Sequence, residues 1–186
     1  LTGKAPSSVL ITDGGGAGIK LHTGTLGSGI YASSDTGKSW TVTSGVTNQV
    51  TGFASLGSVL LAGTVGEGIY RSTDNGASWS HPGVSSAQIL SLVTNGNRVF
   101  AGSNGSGVLV STDTGRTLTA SGLAGATVRA LASTGTKVFA GGSTGIWLTM
   151  NNGASWTAMN TGLTDTSVYS LWINGRTGGG QVGNHA

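Results

Sequence analysis

Cysteine is absent from this chain, and charged residues, histidine and proline are scarce. The 186 residues include no Cys, 2 Pro and 3 His, and only 8% of them are charged. The absence of cysteine excludes disulfides, thiolate metal sites and cysteine nucleophiles together. The sequence also contains no run of 18 apolar residues, so it predicts no membrane-spanning helix and no membrane insertion.

The small positive charge is spread evenly along the chain. The formal net charge is +3, and the nine Lys and Arg residues occur singly, with no basic run or stripe. Nucleic acids and anionic membranes attract clustered positive charge, so we expect no nucleic-acid partner. No two of the three histidines share the spacing of metal ligands, and the sequence predicts no metal site and no cofactor.

Glycine is abundant, with 35 residues, and one short phrase occurs four times. The phrase covers residues 33–40, 72–79, 111–118 and 149–156, and its Asp or Asn stands at positions 35, 74, 113 and 151. A nearly fixed period of about 40 residues indicates stacked supersecondary units. Short β-rich runs divided by glycine turns surround each copy, and no helical apolar period competes with them. The pattern therefore predicts an all-β repeat protein with four antiparallel strands per unit.

A unit of about 40 residues with four strands matches the blade of a β-propeller, and we predict a single propeller domain over residues 1–186. The predicted blades cover about 8–43, 48–82, 87–121 and 126–159, followed by a partial fifth blade over 166–186. Val168–Gly175 repeats an innermost strand, but no fifth phrase follows it. The sequence therefore leaves the closure of the ring open.

Three forms of the ring agree with this pattern. The last blade can be a reduced fifth blade, the segment Leu1–Pro6 can complete the ring, or the chain can form an arc that needs another copy. An arc would leave sheet faces and edges that a partner must cover, so self-association through the incomplete fifth blade is one expected outcome. Of the three, we favour the five-bladed ring with an incomplete last blade.

The repeated phrase resembles the Asp-box, S-x-D-x-G-x-[ST]-W, of the Asp-box (BNR-type) β-propeller family. This family includes sialidases, sortilin-type receptors, xyloglucanases and photosystem assembly factors. The resemblance covers most of the chain and departs at Leu118, which replaces the aromatic residue, and at Asn151, which replaces Asp. It implies that the boxes are turns between third and fourth strands that lie away from the ligand face.

We predict that the box residues staple these turns rather than bind a ligand. The Asp or Asn side chain can accept backbone N–H bonds, the glycine can supply a positive φ, and the Trp ring can fill space beside the hairpin. One carboxylate per turn offers too few oxygen ligands for a calcium site. The structural residues are Asp35, Gly37, Trp40, Asp74, Gly76, Trp79, Asp113, Gly115, Asn151, Gly153 and Trp156.

The small number of acids argues against catalysis. Outside the boxes only Asp13, Glu67 and Asp165 remain. A glycosidase needs two carboxylates about 5 to 10 Å apart, whereas Glu67 and Asp165 fall in distant units and Asp13 is expected on the opposite face. The arginines do not form the cluster of three that a likeness to sialidases would imply, and Tyr31 and Tyr70 occupy equivalent positions typical of blade packing. We therefore predict no catalytic residues.

The blade connections and the turns between second and third strands share one face, which we predict to bind the ligand. Its candidate residues are Glu67, His81, Asn104, Asn160 and Asp165, with Asn48 and Gln49 beside them. Short polar side chains on a rigid scaffold suit a protein or glycan ligand. A sugar site usually adds an exposed aromatic ring, for which Trp147 and Trp172 qualify if they turn outward.

The sequence thus favours a non-catalytic, secreted binding or interaction module. The alternative is a glycan-binding or glycoside-hydrolase-type propeller, sialidase-like or xyloglucanase-like, including a truncated fragment of one. The uncharged, Ser/Thr/Gly-rich composition and the Asp-box resemblance favour export from a bacterium or location in its periplasm, by analogy.

Overall fold

The computed structural model describes residues 3–13, 18–82 and 86–173, and within these ranges the chain is all-β. Fifteen strands in the described ranges form four antiparallel sheets, one after another along the chain. No helix in this part of the chain has the length and apolar character that a membrane span requires. The all-β prediction is confirmed.

Each sheet is a meander whose strands follow one another in space as they do in sequence. The first sheet contains β1 (Pro6–Asp13), β2 (Ile19–Thr25), β3 (Ile30–Ser33) and β4 (Thr41–Val42). The second contains β5 (Val50–Leu56), β6 (Val59–Thr64) and β7 (Gly68–Ser72). The third contains β8 (Ile89–Asn95), β9 (Arg98–Ser103), β10 (Val108–Ser111) and β11 (Thr119–Gly122). The fourth contains β12 (Val128–Thr134), β13 (Lys137–Gly142), β14 (Gly145–Thr149) and β15 (Thr157–Ala158).

The second sheet differs from the predicted four strands. Its outer strand is reduced to one bridge, in which Arg71 and Ser80 exchange two backbone hydrogen bonds of 2.8 Å. Pro82 follows two positions later and has no N–H group to continue the ladder. Three of the four sheets therefore have the predicted strand number, and the second ends early.

Two-residue turns join the first two strands of the later sheets. Gly57, Gly96 and Gly135 occupy the first turn position with φ of 60°, 58° and 55°. A positive φ at this position matches the twist of a tight hairpin. The first sheet has a longer connection between Asp13 and Ile19, of which residues 14–17 lie outside the described residues.

The four sheets stack face to face, with one buried apolar cluster between each successive pair. The innermost strands β1, β5, β8 and β12 contact one another in that order. Members of the clusters are Leu10, Phe53, Tyr70 and Trp79 between the first and second sheets; Ala54, Leu61 and Leu92 between the second and third; and Val93, Phe100 and Leu131 between the third and fourth. Stacked sheets that bury both faces are the arrangement expected of propeller blades.

Glycines in the second strands set the distance between neighbouring sheets. Gly24, Gly63, Gly102 and Gly141 occupy the same position in successive repeats. A Cβ at these glycines would lie 2.6, 2.7, 2.8 and 2.6 Å from the side chains of Val50, Ile89, Val128 and Val168 respectively. Since each of these four residues follows the glycine's own sheet in sequence, the same close approach repeats along the whole stack.

The segment after the fourth sheet begins to repeat this contact. Val168 packs on Gly141 in the manner of an innermost strand, and its N–H donates to the carbonyl of Gly142 at 2.9 Å. Residues 174–186 of the predicted fifth blade lie outside the described residues. Among the described strands, none of the fourth sheet pairs with the first sheet.

Candidate functional site

One edge of the stack brings the turns between second and third strands next to the segments that lead into the following sheet. The N–H of Gly68 donates to the carbonyl of Ala87 at 3.2 Å, and the N–H of Gly107 donates to that of Ala126 at 3.1 Å. We call this edge the connection rim. Glu67 and Asn104 lie in its turns, between β6 and β7 and between β9 and β10.

Tyr70 brings Glu67 and His81 together on the connection rim. The hydroxyl of Tyr70 donates a hydrogen bond to Oε2 of Glu67. The Tyr70 ring stacks on the imidazole of His81, with centroids 5.1 Å apart and planes inclined by 28°. His81 follows Val42 by one repeat period, and Val42 lies opposite Tyr31 in the first sheet, so the repeat register places His81 opposite Tyr70.

The surroundings of Tyr70 favour its neutral form. Burial raises the pKa of Tyr70 to about 12, and the hydrogen bond to Glu67 and the charge of that carboxylate act in the same direction. A tyrosine nucleophile requires a phenolate, which this environment disfavours. The hydroxyl therefore serves as a hydrogen-bond donor, and the pair orients the Glu67 carboxylate on the rim.

A second polar network lies beside this cluster. The side-chain amide of Asn104 donates to Oε1 of Gln88 at 2.9 Å, and its Oδ1 accepts from the hydroxyl of Thr127 at 3.0 Å. The N–H of Thr127 in turn donates to Oγ of Ser143 at 3.0 Å. These bonds connect the rim of the third sheet with that of the fourth.

A shallow polar cleft lies at the second network. It is lined by Ser86, Ala87, Gln88, Asn104, Ser106, Leu109 and Leu118. The carbonyl of Ala87 is the acceptor for the N–H of Gly68, so the cleft adjoins the turn that carries Glu67. The cleft presents amide and hydroxyl groups, and the adjoining turn presents the carboxylate of Glu67 beside Tyr70 and His81. We take the cleft and this neighbouring cluster together as the candidate ligand site.

The other predicted rim residues make local bonds. Oδ1 of Asn160 accepts from the N–H of Ile146 at 2.8 Å, and its amide donates to the carbonyl of Thr144 at 3.2 Å, which caps the start of β14. Oδ1 of Asp165 accepts from the N–H of Ser167 at 2.7 Å in a turn of its own. The structure therefore brings Glu67 and His81 together, places Asn104 in the neighbouring network, and gives Asn160 and Asp165 separate roles.

Asn48 and Gln49 also make local bonds. Oδ1 of Asn48 accepts from the hydroxyl of Thr47 at 3.3 Å, and the carbonyl of Gln49 accepts from the N–H of Val65 at 3.1 Å.

Tyr70 is the residue that sequence reasoning did not include in the site, because its repeat position is typical of packing. It does pack in the first cluster, but its hydroxyl reaches the rim. The signal was present in the spacing of Glu67, Tyr70 and His81 around one hairpin.

The turns formed by the repeated phrase, residues 33–40, 72–79, 111–118 and 149–156, lie at the opposite edge, and we call them the octapeptide turns. They share one set of hydrogen bonds. In the second turn, Oγ of Ser72 accepts from the N–H of Gly76 and donates to Oδ1 of Asp74, both at 2.7 Å. Oδ1 of Asp74 also accepts from the N–H of Ser78 at 3.0 Å, and the Ser78 hydroxyl donates to Oδ2. Asn151 accepts the equivalent backbone bond, from Ser155, at 3.0 Å. The carboxylate of Asp74 is therefore fully engaged within its own turn.

These bonds also explain the charge state of the turn acids. Hydrogen bonds from the side chain and backbone of Ser39, and then from Ser33, lower the pKa of Asp35 to about 2. Asp13 and Asp74 line one cleft at this edge. Because Asp74 is engaged in the bonds of its own turn, the two do not form a pair of free carboxylates of the kind a glycosidase needs. Within the described ranges, no group of three or more His, Asp or Glu side chains could hold a metal ion.

A scan against models of known protein families gave no match, and a search of curated proteins gave none either. Solved structures do match. The extracellular domain of a proposed one-component system from B. thetaiotaomicron superposes with a TM-score of 0.70 and 13% identity, over 91% of this chain and 25% of that one. The GH74 enzyme of Niastella koreensis gives a TM-score of 0.57 and 28% identity, over 82% of this chain and 24% of that one. YCF48 from Cyanidioschyzon merolae gives a TM-score of 0.64 and 13% identity, over 83% of this chain and 55% of that one.

These neighbours are β-propeller folds, and the likeness shows that the four sheets have the fold of propeller blades. The chain spans about a quarter of the length of the extracellular domain and of the GH74 enzyme. It therefore corresponds to a part of those larger proteins.

Proposed function

We propose that this chain is an Asp-box-type propeller unit whose connection rim binds a ligand without catalysing a reaction. The observation that carries the proposal is the cluster of Tyr70, Glu67 and His81 beside the polar cleft. Three different elements of the second sheet hold it, so the polar groups are oriented before a ligand arrives. Preorganised groups at the edge of a rigid scaffold are typical of binding sites.

The donor and acceptor groups of the rim favour ligands rich in hydroxyl or amide groups. Tyr70 engages one oxygen of the Glu67 carboxylate, and a carboxylate has further acceptor capacity. Gln88 and Asn104 add amide groups at the neighbouring cleft, and Ser86 and Ser106 add hydroxyls. A polar loop of a protein partner has the complementary chemistry, and so has a glycan, which is the ligand of the alternative below.

Catalysis by the same cluster is disfavoured by its electrostatics. The pKa of Tyr70 is raised to about 12 by burial and by its Glu67 partner, which is the opposite of what a tyrosine nucleophile needs. Asp165 is engaged with Ser167 in a separate turn and does not supply a second acid to Glu67. A location outside the cytoplasm agrees with the extracellular neighbour and is part of the proposal.

The alternative is a glycan-binding or glycan-hydrolysing propeller segment. Two observations favour it: the 28% identity with a GH74 enzyme, and the indole of Trp172, which is 67% exposed and can stack on a sugar ring. Trp147 qualifies less well, because it packs against the third cluster and its Nε1 donates to Oγ1 of Thr144 at 3.1 Å. In this alternative, the enzyme's remaining groups would come from blades outside the chain.

Hydrolysis of aryl glycosides and binding to a glycan array, measured on the same preparation, distinguish the two functions. We expect no turnover and no glycan signal for the leading proposal, which then assigns the rim to a protein partner. Glycan binding that Glu67→Gln weakens and Asp165→Asn leaves unchanged would support the glycan-binding alternative. Turnover that either variant abolishes would overturn the non-catalytic proposal.

A further inference from the structure

Each interface between neighbouring sheets contains two innermost-strand residues, one from each sheet, at equivalent positions. Leu10 shares a buried cluster with Phe53, Ala54 with Leu92, and Val93 with Leu131. The first member of each pair faces the following sheet, and the second faces the preceding sheet. The stack is therefore built by repeating one head-to-tail contact.

The two ends of the stack each expose one half of this pair. Val9 occupies in β1 the position of Phe53 in β5, since Val9 pairs with Thr23 and Phe53 with Ala62, which lies one repeat period after Thr23. Trp172 follows Leu171 as Ala132 follows Leu131, and Leu171 packs on Gly141. Val9 is 54% exposed and Trp172 67%, whereas Phe53 and Leu92 are 6% exposed. Within the described part of one chain, Val9 and Trp172 do not cover each other.

The open face of the first sheet carries the other parts of an interface as well. Leu21, Tyr31 and Trp40 stand at the positions of Leu60, Tyr70 and Trp79, which are buried between the first and second sheets. Ile11 and Ile19 extend this face and are 55% and 53% exposed. A contiguous apolar face of this kind is typical of an interaction surface.

The octapeptide turn of the first sheet shows the same open surface. A Cβ on Gly76, Gly115 or Gly153 would lie 2.2, 2.8 or 3.0 Å from a side chain of the preceding sheet, namely His22, Leu61 or Phe100. A Cβ on Gly37 would meet only Leu21 and Trp40 of its own sheet, at 3.7 and 3.8 Å. The first sheet thus has the surface that receives a preceding sheet, and no described sheet packs there.

We propose that a second copy of this chain docks head to tail, with Trp172 of one copy packed against Val9 of the next. The contact continues the three internal interfaces, in which the equivalent residues are buried together. It uses the ends of the stack and not the connection rim, so it is independent of the ligand site of the leading proposal. A head-to-tail interface closes into a ring if the rotation permits and otherwise extends the stack.

The solution mass, measured by light scattering at two protein concentrations, tests the association. The chain has a mass of 18.3 kDa, and we expect at least twice that mass, rising with concentration. Val9→Lys and Trp172→Ser should each restore the monomer. Met150→Lys is the matched control, because Met150 is 64% exposed but lies in an octapeptide turn, and it should leave the mass unchanged. A wild-type monomer at both concentrations would overturn the proposal.

Cysteine pairing tests the geometry, and the absence of native cysteine makes the readout specific. Val9→Cys and Trp172→Cys are prepared separately, checked for β-structure by circular dichroism, and oxidised alone and as a mixture. We expect a disulfide-linked dimer in the mixture and far less in either variant alone. Efficient linkage of one variant to itself would indicate a symmetric face-to-face dimer and overturn the proposal. A double variant that forms only an internal disulfide would show that the ring closes within one chain, which also overturns it.

Discussion

Gly76 lies so close to the imidazole of His22 that a Cβ on Gly76 would be 2.2 Å from Cε1 of the ring. Gly76 belongs to the second octapeptide turn and His22 to β2 of the first sheet. Gly115 on Leu61 and Gly153 on Phe100 repeat the relationship, and His22, Leu61 and Phe100 occupy the same position in successive repeats. The turn glycine therefore has two roles: it adopts a positive φ within its turn, and it lets the turn approach the neighbouring sheet.

The packing role can be separated from the φ requirement by comparing Gly76→Ala with Gly37→Ala. Both glycines have positive φ, 75° and 89°, so both variants carry the same kind of backbone strain. Only Gly76→Ala also forces a methyl group into the His22 ring, and overpacking of this kind costs about 1 to 3 kcal/mol. In the Val9→Lys background, which is expected to be monomeric, urea unfolding should show that Gly76→Ala is less stable than Gly37→Ala by this amount. Equal losses of stability in the two variants would mean that the two sheets accommodate the added methyl group at no cost.

The tryptophan of the octapeptide contributes through burial rather than through its N–H group. Trp79 is 5% exposed and packs against Phe53 with ring centroids 6.0 Å apart, but its Nε1 is buried and has no hydrogen-bond partner among the described residues. Trp79→Ala should therefore cost about 3 to 5 kcal/mol in the free energy of unfolding. Trp79→Phe should cost much less, because it keeps an aromatic ring and removes an unsatisfied donor.

Trp40 provides the comparison for this series. It is only partly buried, and its Nε1 donates to the carbonyl of Gly37 at 3.1 Å. In the same Val9→Lys background, Trp40→Ala should cost less than Trp79→Ala in thermal or chemical unfolding. If Trp79→Ala unfolds no earlier than the wild type, the role of this residue as a structural staple is wrong.

The repeat made the sheets predictable, because a single repeat period specifies strand order, turn positions and the stacking of sheets at once. Asp74 and Gly76 could be assigned to a turn from sequence because an Asx side chain and a positive φ belong to known turn chemistry. The positive φ of Thr36, Asn75, Thr114 and Asn152, at 55° to 60°, was not predicted. It follows from the hydrogen bonds that wrap the turn around the Asp or Asn side chain, and two of the four positions are not Asn.

The candidate site was predictable only in part, because it depends on side-chain direction. Glu67 and His81 were placed on the rim from the order of strands alone. Tyr70 was interpreted as packing, which is correct for its ring and incomplete for its hydroxyl, and only the register opposite His81 shows the cluster. The outer strand of the second sheet is short because Pro82 has no N–H group to continue the ladder. This effect is local to one repeat, so the repeat period does not predict it.

Asp74 and Asn151 fill the same role in different turns, which predicts the outcome of exchanging them. Asp74→Asn keeps the Oδ1 acceptor for the N–H of Ser78, as Asn151 does for Ser155. It should change the free energy of unfolding by less than about 0.5 kcal/mol, whereas Asp74→Ala removes the acceptor and should cost about 1 to 2 kcal/mol. Urea denaturation at neutral pH distinguishes these values, and a loss in the Asn variant equal to that in the Ala variant would mean that charge holds the turn.

His22 predicts how stability depends on pH. The ring is fully buried, and neither of its nitrogens has a hydrogen-bond partner in the described ranges. Burial, and secondly the positive charge of Lys20, lowers the pKa of His22 from 6.5 to about 4. The folded state therefore holds the neutral imidazole, packed edge-on against Trp79 and beneath the turn of Gly76.

The sign of the pH effect follows from proton binding. Between pH 6.5 and about 4 the unfolded chain binds a proton at His22 that the folded chain does not, so stability falls as the pH falls through this window. The full shift corresponds to a loss of about 3 kcal/mol. The hydrogen-bonded turn acids affect stability only at lower pH. The pKa of Asp35 is about 2, so its contribution to stability is lost only as the pH falls below the ordinary value of 3.8.

His22→Leu should remove this dependence, because Leu61 fills the equivalent position one period later. Urea unfolding at pH 7 and pH 4.5 is the measurement: the wild type should lose stability between the two, and His22→Leu should lose much less. His81→Gln is the control, since His81 stacks at the rim and its replacement leaves the buried imidazole in place. If His22→Leu follows the wild-type profile, the imidazole gains partners on protonation and the buried ring does not set the acid limit of the fold.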